Sequence, residues 1–185
     1  MRFNRIILAV VLLSFACLAN AQNKPLAKLP INSETKLLTY EKVQVVDGVE
    51  QSELYRRCLQ WCQTFYKNPN DVIRERDSLG GKIVCKGRFK ISNPPDKKGL
   101  ETDAGLVQYT LTILMKEGKY KYTLTDINWK QQSYYPVEKW MDVKNQYYKP
   151  EFEYYLQLTD SKSEDITKGL DKAMHTSEKP QVKEW

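Results

Sequence analysis

Val107-Gln108-Tyr109-Thr110-Leu111-Thr112-Ile113-Leu114-Met115 runs apolar and other residues in strict alternation, and Tyr120-Lys121-Tyr122-Thr123-Leu124-Thr125 repeats the pattern a few residues later. A period of two places successive side chains on opposite faces of a strand. Glu117-Gly118-Lys119 between them supplies a tight turn, so the two stretches read as a hairpin with one apolar face. Upstream, Ile83, Cys85, Gly87, Phe89 and Ile91 alternate with Lys82, Val84, Lys86, Arg88 and Lys90, giving a third strand of the same kind. Asp71–Asp77 before it reads as a fourth, joined through Ser78-Leu79-Gly80-Gly81, and Asn93-Pro94-Pro95-Asp96 opens a loop running to about Ala104. Two consecutive hairpins follow.

Outside that block the period changes. Leu54, Cys58, Trp61, Cys62 and Phe65 share one face at 3.6 residues per turn, so a helix is expected from Glu50 or Ser52 to a stop at Asn68-Pro69-Asn70. Cys58 and Cys62 on that stripe read as small core residues. Thr39–Val46, rich in Val and Tyr and closed by Asp47-Gly48, reads as a strand preceding the helix. Val137, Trp140, Met141, Lys144, Tyr147 and Tyr148 have helical spacing interrupted by Pro150. Ile166, Leu170, Ala173 and Met174 give a second stripe, with possible caps at Asp160, Ser161 or Ser163.

The expected fold is therefore α+β, a curved antiparallel sheet of about five strands with helices on one face, in the order β-α-β-β-β-β-α. Trp61, Phe65, Cys85, Phe89, Tyr109, Leu111, Tyr122 and Leu124 are expected to meet in its core. The expected organisation is a signal at 1–21, a lead-in at 22–37 and the main domain at 38–130. An aromatic-rich and helical extension at 131–176 completes the domain, and a flexible tail at 177–185, following the chain's one histidine, His175, ends it.

The N-terminus sets the expected compartment. Arg2 and Arg5, the apolar run Ile6–Leu13 and Ala19-Asn20-Ala21 together read as a secretory signal cleaved before Gln22. Losing Arg2 and Arg5 takes the formal net charge from +6 to +4, too mild to argue for nucleic acid. No later apolar run is long enough for a transmembrane helix. Cys17 as a lipid anchor is disfavoured, since Ser14-Phe15-Ala16 precedes it and Leu13 lies one place too far away. Cys58, Cys62 and Cys85 remain after cleavage, as one disulfide plus a thiol or as three buried thiols. A Cys58–Cys62 bridge within one helical turn would be strained, and a bridge to Cys85 is sterically better.

At this point the chain resembles a family of secreted bacterial domains of unknown function with a TATA-binding-protein-like fold, over roughly Leu29–Trp129. The resemblance rests on Leu29-Pro30, Tyr40, Val45-Val46-Asp47-Gly48-Val49, Leu54-Tyr55 with Trp61, and Gly81-Lys82-Ile83-Val84-Cys85-Lys86-Gly87. It implies a curved sheet backed by helices and no catalytic residues. It does not extend to the aromatic segment Tyr134–Tyr155, and fold alone is no argument for DNA binding.

Little in the sequence suggests chemistry. No nucleophile motif surrounds the cysteines, and their spacing with His175 matches no compact zinc site. No cofactor is expected and an enzyme is not. Asp103, Glu117, Asp126 and Glu138 offer carboxylates, as any exported protein does. Two features remain as candidate binding surfaces. One is the polar sheet face carrying Lys86, Arg88, Lys90 and Lys121 among threonines. The other is the aromatic segment with Tyr134, Tyr135 and Trp140. The expected function is a periplasmic or secreted non-enzymatic module binding an envelope component or a protein, with a carbohydrate-binding or carbohydrate-active domain as the alternative.

Overall fold

The computed structural model describes residues 29–131 and 133–176. The expected signal and the tail lie outside these. Strands β1 (Tyr40–Val45), β2 (Ile73–Asp77), β3 (Lys82–Ser92), β4 (Asp103–Lys116), β5 (Lys119–Lys130) and β6 (Tyr134–Pro136) form one antiparallel sheet. Helices α1 (Gln51–Phe65), α2 (Pro69–Val72) and α3 (Glu151–His175) complete the described elements with a 3-10 turn at Val137–Met141. The strand order is β1-β5-β4-β3-β2, and β6 shares the free edge of β5 with β1. The fold is the α+β layer expected, a curved sheet with helices on one face.

The alternation in β3, β4 and β5 carries through to burial. Ile83, Cys85 and Ile91, then Val107, Tyr109, Leu111, Ile113 and Met115, then Tyr120, Tyr122 and Leu124 are all enclosed. The turn after β4 works because Gly118 adopts a left-handed φ of 69° without steric cost. On β5 the alternation shifts at Asp126, whose φ is 52°, and the β4–β5 register slips between Gln108 and Thr110. This bulge turns Ile127 inward and leaves Asn128 and Lys130 on the opposite face from Trp129.

Helix α1 lays Leu54, Cys58, Trp61 and Cys62 onto the sheet. Two expectations about its end need correcting. The helix stops at Phe65, before Asn68-Pro69-Asn70, and Phe65 lies at the rim, 44 % exposed and stacked on Trp61 at 4.8 Å between centroids. Tyr66, just beyond the helix, turns inward instead, its hydroxyl 3.2 Å from that of Tyr109. Pro69 opens α2, where its missing N–H leaves no bond unmade, so β2 starts at Ile73 rather than Asp71.

The second half departs further. The helical spacing over 137–148 yields only the 3-10 turn. Beyond it Asp142 Oδ1 accepts from Lys144 N at 3.1 Å, and Asn145 Oδ1 from Tyr147 N at 2.9 Å. These side chains capture backbone donors that an α-helix would have used. Helix α3 starts at Glu151, directly after Pro150, so Asp160, Ser161 and Ser163 are mid-helix rather than caps. Tyr40 and Tyr120 fasten α3 to the sheet, donating to Asp160 and Asp171 respectively, each at 2.7 Å. Burial, reinforced by the aspartate partner, pushes both tyrosine hydroxyls far above their usual range. His175 is the last residue of α3. Its ring nitrogens lie 2.9 Å from the Asp171 carbonyl oxygen and 3.2 Å from that of Val45 on β1.

Arg57 joins the two long helices. Its Nε donates to Glu53 at 2.8 Å and its Nη1 to the Met174 carbonyl of α3 at 2.7 Å. The part of the lead-in within the described residues is also tied down. Asn32 Oδ1 accepts from Glu34 N and Thr35 N, and fully buried Leu38 donates its N–H to Glu138 at 2.7 Å.

Candidate functional site

Helices cover one face of the sheet and leave the other to solvent. Register fixes which side chains stand together on the open face. Lys86 on β3 is level with Thr110 on β4 and Thr125 on β5. Arg88 is level with Gln108 and Asn128, and Lys90 with Leu106 and Lys130. Neighbouring strands lie about 4.8 Å apart and alternate residues about 6.7 Å. Lys86, Arg88, Lys90 and Lys130 therefore occupy a patch roughly 10 Å by 13 Å. Lys90 comes within 3.8 Å of Asp103, a pair so exposed that water screens most of the attraction.

The other end of the same face is charge-balanced. Lys121 lies 3.0 Å from Glu41, whose carboxyl it holds below the usual range, and Lys82 lies 3.0 Å from Glu75. The structure thus groups Lys86, Arg88 and Lys90 and sets Lys121 apart from them. Sequence reasoning missed Lys130, Gln108 and Asn128 as members of the patch. The available signal was the three-residue step from Leu124 to Ile127, which marks the bulge and restores the alternation at Lys130.

The aromatic segment divides. Tyr134 is 57 % exposed and donates its hydroxyl to Gln108 Oε1 at 3.4 Å, which puts it at the margin of the basic patch. Tyr135, one residue on, points the other way. It is half-buried, edge-on to Trp129 at 6.4 Å, with Lys139 Nζ 5.2 Å from its ring centre. Trp140 has to be withdrawn as a surface candidate because it is fully buried, packed on Phe152 at 5.7 Å and Tyr155 at 5.5 Å. Most of the aromatic density is thus core, built where α3 crosses the sheet beside Trp129. A shallow depression lined by Tyr135, Lys139, Asp142, Asn145, Gln146 and well-exposed Tyr147 remains.

A cleft of about 240 Å³ lies between α1 and α3. Its arginines already serve the fold. Arg56 donates to Glu53 and Gln60, and Arg57 to Glu53 and Met174. These contacts hold the Glu53 carboxyl down to about 2. Among the described residues no group of three His, Cys, Asp or Glu side chains could hold a metal ion.

Comparison with known proteins bears on the fold alone. A DUF4468 family protein from Bacteroides ovatus superposes with a TM-score of 0.63 at 18 % identity, covering 84 % of this chain and 94 % of that one. A TBP-like protein from Parabacteroides distasonis gives 0.61 at 12 % identity, covering 80 % and 99 %. No curated protein matches the sequence. Residues 40–130, from the first strand through the last residue of β5, match the model for the domain of unknown function DUF4468 with TBP-like fold, and the chain belongs to that family.

Proposed function

We propose that the chain is an exported, non-enzymatic module that binds an acidic component of the cell envelope through the open face of its sheet. The observation carrying this is the gathering of Lys86, Arg88, Lys90 and Lys130 at one end of a face that no helix covers, where the exposed Lys90–Asp103 pair offsets little of their charge. Gln108, Asn128 and Tyr134 among them add amide and hydroxyl groups suited to a ligand with both anionic and hydroxyl oxygens, such as a polysaccharide carrying uronate or phosphate. The segment Arg2–Ala21, with its basic start, apolar middle and small residues before Gln22, supports export.

The test is retention of the mature protein on an immobilised polyuronate, with neutral dextran as control. Retention should fall as salt rises and should be lost when Lys86, Arg88 and Lys90 are all replaced by Gln. Equal retention by the triple variant would remove the sheet face as the site. Failure on the polymer, with salt-sensitive capture of an acidic envelope protein, would change the ligand class but keep the face.

The depression around Tyr135 and Tyr147 favours a second reading, a site for neutral sugar. It combines two tyrosine rings with the Asp142, Asn145 and Gln146 side chains. Retention on neutral dextran lost in Tyr147→Ala would support it.

A further inference from the structure

Cys62 of α1 and Cys85 of β3 face each other across the helix–sheet interface with their sulfurs 3.8 Å apart, and both side chains are fully buried. Cys58, one helical turn before Cys62, is also buried and is the third free thiol of the cluster. Helix geometry keeps Cβ atoms at i and i+4 about 5–6 Å apart, beyond the roughly 3.5–4.5 Å that a disulfide spans. The pair divided between helix and strand has no such restriction. Its sulfurs need to close by less than about 2 Å to reach bonding distance, a motion side-chain rotation can share between them.

We infer that in the exported protein Cys62 and Cys85 are joined by a disulfide, with Cys58 left as a buried thiol. This rests on the export reading, because only an oxidising compartment sustains such a bond. Each cysteine gives up its S–H proton, and an S–S bond forms between them. The two electrons reduce the disulfide of an envelope thiol oxidase to a dithiol, through a mixed disulfide that the second sulfur displaces. Contact with neighbouring thiols, together with burial, holds Cys62 and Cys85 in the protonated form once α1 has docked. Exchange needs an accessible thiolate, so the bond forms while the chain is folding.

The link would close a loop holding α2 and β2. That edge strand buries Ile73 alone among its five residues, so the loop has little core of its own to fix it. Cys85 also precedes Lys86 on β3, so the bond would anchor to α1 the strand that presents the basic patch.

The experiment refolds the reduced mature protein from denaturant in a glutathione redox buffer, then alkylates it under denaturing conditions. The expected product is about 2 Da lighter than the reduced chain before alkylation and takes one adduct, on Cys58. Cys58→Ala should take none, Cys62→Ala two, and dithiothreitol should lower the denaturation midpoint of the wild type. Three adducts on the refolded wild type, or a bond that survives in Cys62→Ala, would overturn the pairing. The chain recovered from the envelope of its host, with thiols blocked at lysis, should also take one adduct. Three adducts there, with one after refolding in vitro, would overturn the proposal through its premise of export and leave the pairing geometry standing.

Discussion

The ring of Tyr109 lies directly over Gly87 on the neighbouring strand, filling the space that a side chain at 87 would need. Gly87 is fully enclosed in the middle of β3, where glycine ordinarily weakens a strand. Its lack of a Cβ lets the Tyr109 hydroxyl reach that of Tyr66. Gly87→Ala should destabilise the fold by about 1–3 kcal/mol through overpacking. Adding Tyr109→Leu should make the two changes cost less than their sum in denaturant unfolding.

Trp61 and Phe65 lie on the same stripe of α1 but have different surroundings. Trp61 is 6 % exposed and Phe65 44 %. Trp61→Ala should cost about 3–5 kcal/mol, and Phe65→Ala no more than about 1. Equal losses for the two would mean that α1 is rotated from the orientation described.

Acid should weaken the link between α1 and α3. Arg56 and Arg57 hold the Glu53 carboxyl at about 2, against an ordinary 4.5. A carboxyl lowered on folding adds stability that is complete above pH 4.5 and fades as the pH falls from there towards 2. Glu53→Gln should therefore be less stable than the wild type at pH 7, by about 1 kcal/mol given its partial exposure. The difference should close between those two pH values, as followed by thermal unfolding.

Replacing Lys86, Arg88 and Lys90 together by Gln should shift stability by no more than about 0.5 kcal/mol per site. Their charged ends are in water and, among the described residues, the three enter no close buried ion pair. Thermal unfolding checks this and separates any loss of binding from a loss of folding.

Intact mass of the protein exported by its native host should correspond to a chain starting at Gln22. A diacylated Cys17 would instead tie the molecule to a membrane surface.

The sheet and α1 were legible in the sequence because each carries one period over many residues, and burial of one face then leaves a single arrangement. The second half was not. Around Asp142 and Asn145 the apolar spacing satisfies a helix, but short polar side chains take the backbone donors. In α3 the stripe runs through Thr159, Ser163 and Thr167, buried residues whose hydroxyls hide the apolar period. Hence only the end of the helix was visible. Trp140 looked like a surface aromatic because nothing local distinguishes a ring that meets α3 from one that meets water. The basic patch was half visible, since β3 shows its three cations by simple alternation while Lys130 lies beyond a bulge.

The pairing of β1 has a consequence for the order in which the molecule assembles. Strands β2 to β5 each pair with the strand before or after them, but β1 waits for β5, with Tyr40 opposite Leu124. A chain made from its N-terminus thus carries its first strand unpaired until most of the sheet exists, with Val43 and Val45 open to water even in the finished fold. Loop closure over that distance is slow compared with turning a hairpin. The meander should form first, β1 should join last, and its amides should be the first of the long strands' to exchange with solvent.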